Sequence, residues 1–185
     1  MSNLVIFLGP PGAGKGTQAV TISKEKNLAH ISTGDMLREH VSEETELGKI
    51  AKTLLDEGKL VPDSLVIEML QERLLSKDCV NGAILDGFPR TIAQAESLDK
   101  ISDEFKISKV IVFEADRDEL IKRILNRGET SGRSDDTKES VRVRLEVYEK
   151  DTAPLIEYYE QENLVAKINA VGEVENIYNL ILKEF

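Results

Sequence analysis

Residues 8–18 read LGPPGAGKGTQ and follow directly on an apolar run, LVIFL at residues 4–8. A short unbroken apolar stretch running into a glycine-rich turn is the pattern of a strand buried on both faces, as in a parallel sheet. A helical pattern takes over at Lys15 and runs to about Lys26. Strand, glycine loop and helix in that order narrow the choice of fold severely. Glycines let successive backbone amides converge on one anion without Cβ clashes. The helix N-terminus brings the positive end of its dipole to the same point, and Lys15 adds a point charge. A tight strand-to-helix turn accounts for one or two glycines; Gly9, Gly12, Gly14 and Gly16 together with Lys15 call for a phosphate. The loop departs from G-x-x-x-x-G-K-[ST] at one position, where Gly16 stands in place of a hydroxyl residue and Thr17 supplies one a step later.

Apolar runs and helical patterns alternate along the rest of the chain. A brief strand fits residues 30–32, and Ser32 or Thr33 offers a side-chain oxygen to cap the helix of STGDMLREHV. Helices are predicted at 44–57, 63–75 and 91–100, the first two separated at Gly58 and Pro62. AILDGFPR is a second buried strand ending in an acid, and KVIVFEA a third, rich in β-branched residues. Leu120, Ile121, Ile124 and Leu125 share one helical face, Arg123 and Arg127 another. RGETSGRSDD reads as a polar loop. Asp136 and Glu139 then resemble a capping box that starts the next helix, which Pro154 kinks or restarts. LVAKI is a last strand and residues 174–182 a closing helix. The alternation predicts an α/β fold with a mostly parallel sheet flanked by helices, in one domain over residues 1–185.

Composition removes several function classes. A net charge of −10 repels nucleic acid and anionic membranes alike. No apolar stretch approaches the roughly 20 residues of a membrane span, and the N-terminus lacks the basic leader of a signal peptide. Cys79 is the single cysteine, so no internal disulfide is expected. The expected compartment is the cytoplasm. Within this acidic chain, six of the nine arginines fall in one 28-residue stretch, from Arg117 to Arg144. Arg117 and Arg142 read as a solvated face. Arg123, Arg127, Arg133 and Arg144 read as phosphate ligands, because phosphoryl transfer develops charge that positioned cations neutralise. Asp86 closes an apolar strand, where an acid beside a phosphate loop holds Mg²⁺ directly or through water. Arg90 follows in a Gly-Phe-Pro-Arg turn, suited to clamp a phosphate bidentately. His30, His40 and Cys79 lack metal-ligand spacing and read as structural.

These motifs together resemble the nucleoside monophosphate kinases, and closely the adenylate kinase family, over nearly the whole chain. GPPGAGKGTQ is similar to that family's phosphate loop, with Gly after the Lys and Thr next; STGDMLR, GKLVPD, LDGFPRT and the arginine pattern through VRVRL follow in order and spacing. The resemblance implies a P-loop fold on a five-stranded parallel sheet and the reaction Mg·ATP + AMP ⇌ 2 ADP, catalysed by a monomer. It implies two mobile parts, an AMP-binding segment at residues 32–61 and a short lid at 128–136. It assigns the ATP phosphates to Gly12, Ala13, Gly14, Lys15, Gly16 and Thr17, and stacks Arg123 on the ATP adenine near the backbone of Val171 and Gly172. It puts AMP among Thr33, Arg38, Lys59, Val61, Gly87, Arg90 and Gln94. Arg127, Arg133 and Arg144 then surround the transferring group with Lys15 and Arg90, and Asp135 and Asp136 link or orient the arginines.

Only nine residues, 128–136, stand where long forms of the family carry a larger lid, sometimes with zinc. The short-lid subgroup also contains UMP/CMP kinases, which remain an alternative; Thr33 and Gln94 favour adenine, since the pyrimidine enzymes place Ala and Asn-type residues there. A GTPase-like switch lacks an Asn-Lys-x-Asp guanine-reading segment, and a non-catalytic nucleotide-binding module has no need of converging arginines. No structural zinc is expected, because residues 128–136 contain neither Cys nor His. Elemental analysis of chelator-treated protein should therefore find no zinc, and its melt should match that of untreated protein. Zinc in stoichiometric amount would overturn this.

Overall fold

The computed structural model describes residues 2–101, 105–131, 133 and 135–185. Its five strands are β1 (Ser2–Leu8), β2 (Ala29–Ser32), β3 (Gly82–Asp86), β4 (Phe105–Glu114) and β5 (Val165–Asn169). They form one parallel sheet in the order β2-β3-β1-β4-β5. β1 is central, and its apolar run is buried on both faces as its sequence requires. Leu4, Ile6 and Leu8 pack with Leu70, Leu98, Leu155 and Tyr159. These come from α4 (Asp63–Leu74), α5 (Ile92–Asp99) and α8 (Pro154–Glu160). Val5 and Phe7 join Ile22, Ile124, Leu145 and Ile181, contributed by α1 (Lys15–Lys26), α6 (Arg117–Ser131), α7 (Lys138–Val147) and α9 (Val174–Leu182). Burying each such side chain contributes about 1.5–3 kcal/mol. The chain leaves β1 toward β2 on one side and returns across it from β3 to β4, so the switch in direction falls at the carboxyl ends of β1 and β3. In open α/β sheets that crevice is where ligands bind.

Most predicted elements appear within a residue or two of their expected bounds. Ser32, not Thr33, caps α2 (Thr33–Ser42), its hydroxyl accepting from Asp35 N at 3.3 Å. The next helix, α3 (Glu46–Asp56), starts later than residue 44 because Thr45 Oγ1 caps Gly48 N at 3.0 Å. β4 is longer than KVIVFEA: it begins at Phe105, and its register against β1 shifts between Leu4 and Val5. Ser108 sits at that irregularity and donates to Leu4 O at 3.1 Å. Pro154 restarts the helix, opening α8 after a π-helical turn at Tyr148–Thr152.

Two expectations around residues 127–136 are corrected. The stretch is not a loop throughout, because α6 continues to Ser131. Thr130 and Ser131 spend their hydroxyls on the carbonyls of Asn126 (3.0 Å) and Arg127 (2.8 Å), turning polar side chains to the helix's own backbone. Of the expected lid, Gly132 and Ser134 lie outside the described residues. Nor does Asp136 cap α7. Its carboxylate is taken by Arg127, which donates from Nε and Nη2 at 2.7 Å each, and by Arg144 Nη1 at 2.8 Å. Thr137 caps instead, accepting from Ser140 N at 3.2 Å.

The Asp136 side chain is fully enclosed between α6 and α7. Burial alone pushes its carboxyl up, but the bonds and charges of Arg127 and Arg144 outweigh that and hold it below the usual carboxylate value. A carboxyl depressed by folding contributes stability above its unfolded pKa of about 3.9 and loses it as pH falls through the lower folded value. Asp136→Asn leaves Arg127 without its carboxylate and Arg144 with Asp135 alone, and should cost on the order of 2–4 kcal/mol at neutral pH. In urea melts the gap between the two proteins should hold from neutrality down to about pH 5 and shrink below about pH 4. A gap independent of pH would refute the ionic origin of the clamp.

Candidate active site

The carboxyl ends of β1, β2 and β3 open into a cleft of about 650 Å³. Its floor is the glycine loop. Gly14 stands at φ 89°, left-handed, just before α1, and a Cβ on Gly12 would sit 2.8 Å from Leu120 O and from Ile124 Cγ1. The loop is thus wedged against α6, the helix that carries Arg123 and Arg127. Gly16 has a different reason: a Cβ there would come within 3.2 Å of Asp86 Oδ2. The missing hydroxyl of the loop motif leaves room for the carboxylate at the end of β3.

Lys15 folds back on its own loop, Nζ donating to Gly9 O at 2.8 Å and Pro10 O at 3.0 Å. Burial and the charges of Arg90, Arg144 and Arg127 lower its pKa to about 8 against the opposing pull of Asp86. Asp86 itself is only 14% exposed, and burial pushes its carboxyl up. The charges of Lys15 and Arg90, with the His30 ring alongside, prevail and keep it below the ordinary value. His30 Nε2 lies 3.7 Å from Asp86 Oδ2, too far for a hydrogen bond.

Six arginines line this cleft: Arg38, Arg90, Arg123, Arg127, Arg133 and Arg144. Acceptors from several elements hold each in place. Arg90 Nε donates to Gly87 O at 2.8 Å, and Thr152 Oγ1 donates to Arg90 O at 2.8 Å. Arg123 bonds Glu119 at 2.8 Å and Ala170 O at 2.9 Å. Arg144 also pairs with Asp135 at 3.3 Å. Two contacts cross the cleft between the α6–α7 connection and α2: Arg133 with Asp35 at 3.1 Å and Arg38 with Asp135 at 3.6 Å. By contrast, Arg117 and Arg142 make exposed pairs with Glu149 and Glu146 outside it.

Gly12, Gly14, Lys15, Gly16, Thr17, Asp86 and Gly87 join those arginines on the cleft wall. The other expected site residues do not line it. Ala13, Thr33, Val61 and Gln94 are buried, Thr33 donating to Gly87 O at 2.8 Å. Lys59 is exposed and paired with Glu57 at 2.7 Å. Gly172 lies in the β5–α9 turn, with open space where a Cβ would stand. His30, read from the sequence as structural, lines the cleft, as do Tyr148 and Thr152, which sequence reasoning did not single out. The His30 position was within reach, since a strand at 30–32 pairing with AILD puts His30 near the acid; Tyr148 and Thr152 depend on the π-helical turn, which no local pattern signals. Among the described residues no group of three or more His, Cys, Asp or Glu is arranged to hold a metal ion, and no helix is long and apolar enough to cross a membrane.

Comparison with known proteins agrees with this geometry. The family model for adenylate kinase matches residues 7–164. An adenylate kinase of Parabacteroides distasonis is 50% identical over 183 residues, covering 98% of this chain and 96% of its own. One from Leptospira biflexa is 46% identical, covering 97% of each chain. One from Thermus thermophilus is also 46% identical, over 94% of this chain and 92% of its own. Matched over most of its length by the family model, and half-identical over nearly all of it to one relative, the chain belongs to the adenylate kinase family.

Proposed function

We propose that this cleft transfers the γ-phosphoryl group of ATP to AMP, reversibly, giving two ADP. The observation that carries the reading is the convergence of Lys15, the loop amides, Asp86 and six arginines on one cavity at the strand ends. Phosphoryl transfer asks a protein for positioning and charge stabilisation more than for covalent chemistry. In this reading the amides of Gly12 through Thr17 cradle the ATP phosphates, and Lys15 exchanges the Gly9 and Pro10 carbonyls for a phosphate oxygen. Arg123 stacks on the ATP adenine beside the turn at Gly172. Thr33, Arg38, Lys59, Val61, Gly87, Arg90 and Gln94 surround AMP, some of them by shaping the wall from behind. Arg90, Arg127, Arg133 and Arg144 share the charge that develops on the moving group. AMP is favoured over UMP or CMP, and over a guanine nucleotide switch, by relatives that all carry the name adenylate kinase.

The residues at the end of β3 fit Mg²⁺. Asp86 is held ionised, its Oδ2 is left uncovered by Gly16, and Thr17 brings a second hard oxygen to the same wall. Asp86 would hold the ion through water, and the ion would supply charge neutralisation on the phosphates. We assign mobility to residues 32–61 and to Arg133 and Asp135 of the short lid, which the Arg133–Asp35 and Arg38–Asp135 pairs draw together over the cleft. Closure there keeps water from the phosphoryl group. A single buried thiol and a net charge of −10 support work in the cytoplasm; the monomer is carried over from the family resemblance.

A coupled assay with ATP and each of AMP, UMP and CMP should show AMP strongly preferred. Lys15→Met should lower kcat by about 10² or more while its melt stays near that of the unmutated protein. Near-normal turnover in that variant would remove Lys15 from the phosphate site. Arg133→Ala should lower kcat far more than it raises the AMP KM, because its contact belongs to the closed transition state. An unchanged kcat with a raised KM would make Arg133 a ground-state ligand.

A further inference from the structure

Asp63 is the first residue of α4, Gln94 lies in the first turn of α5, and their side chains meet behind the Arg90 turn. Gln94 Nε2 donates to Asp63 Oδ1 at 2.7 Å, while Gln94 Oε1 accepts from Arg90 N at 2.8 Å. Thr91 Oγ1 donates to Asp63 Oδ2 at 3.1 Å and accepts from Gln94 N at 3.2 Å, capping α5. Gln94 is 2% exposed.

A primary amide has nearly the same shape either way round, so its surroundings decide which end is oxygen. Here the two surroundings are unequivocal. A backbone N–H only donates and a carboxylate only accepts. Turning the amide over would set its oxygen against Asp63 and its NH₂ against the Arg90 N–H. Both bonds would be lost, in a buried place where water cannot replace them. After these bonds, the amide has one lone pair on Oε1 and one hydrogen on Nε2 left to offer.

We propose that Asp63 is a specificity-determining positioning residue of the monophosphate site. Gln94 is buried behind the cleft wall in this structure; by pinning its amide, Asp63 presets the one donor and one acceptor it can turn to a base admitted there, which suit a ring-nitrogen acceptor beside an exocyclic amino group. A base with a ring N–H beside a carbonyl meets the reverse polarity. The proposal rests on the assignment of Gln94 to the AMP base given above. It sorts monophosphates by amino against keto edge, not by ring size. Adenine and hypoxanthine share the purine frame and differ only in that edge, which makes AMP against IMP the discriminating pair.

The unmutated protein should prefer AMP over IMP in kcat/KM by about 10⁴, as sites that hydrogen-bond their substrate reject an analogue lacking the bond. Asp63→Ala should cut that ratio at least tenfold, the AMP KM rising and the IMP KM falling. Asp63→Asn keeps an acceptor facing Nε2 and should retain most of the discrimination. Both variants remove the negative charge at the start of α4 and lose stability together, so a thermal melt separates that effect from the selectivity lost in Asp63→Ala alone. A ratio unchanged in Asp63→Ala, with AMP still preferred, overturns the lock and leaves the AMP reading standing. Equal loss in both variants also overturns it, in favour of a role for the charge itself. Absence of AMP turnover in the unmutated protein overturns both readings.

Discussion

Asp86 stands level with Phe7 of β1 and with Ser32 of β2, and this register of three parallel strand ends is the constraint from which the site follows. The residue after each strand end begins something functional: the glycine loop after Leu8, α2 after Ser32, the Arg90 turn after Asp86. A slip of one residue would exchange the two faces of a strand. In β1 it would drive Phe7 from beside Phe113, 5.1 Å away between ring centroids, into the opposite core. The apolar packing of both faces therefore fixes the position of polar groups that contribute nothing to it.

Charge in the cleft is held in two ways. Asp136 is enclosed and bonded by two arginines, so its pairs are part of the fold. Asp35 is more than half exposed and takes Arg38 and Arg133 across solvent-facing contacts of 2.6 and 3.1 Å. An exposed pair is worth little and yields readily to a competitor, whereas stranding a buried charge is costly. In the proposed reading, phosphate oxygens entering the cleft compete first for the arginines on Asp35. The acidic balance of the chain and its arginine cluster are two sides of one arrangement: carboxylates hold the cations in position and compete for them only weakly where a ligand must enter.

What could be read from sequence was what local pattern decides. The β1 run, the glycine loop, α1 and α9 follow from apolar continuity, periodicity and glycine placement, and the comparisons bear out the family that the motifs resembled. Residues 127–131 were misread because polar composition with a glycine has no apolar period, yet the helix persists there on hydroxyl-to-carbonyl bonds and on Arg127 being anchored. Asp136 looked like a cap because capping boxes are local; two arginines from different helices claim it, and Thr137 takes its place. The Asp63–Gln94 bond joins residues 31 positions apart on separate helices. Nothing local could announce it.

The Arg127–Asp136 clamp also closes a ring of chain. Asp136 O lies 3.0 Å from where a Cβ on Gly128 would stand, so the backbone at these two residues comes together at almost one point. Closing a loop of chain over fixed ends grows dearer only logarithmically, by about 0.6 kcal/mol for each doubling of its length. Chain added between those two points would leave the sheet, the loop and the arginines of α6 undisturbed as long as the pairs of Arg133 and Asp135 with α2 are kept. The turn from Gly87 to Gln94 has no such freedom, because Arg90 is bonded to Gly87 and Gln94, Thr91 to Gln94, and both Thr91 and Gln94 to Asp63 of α4. Length in this molecule is thus negotiable on one side of the cleft and fixed on the other.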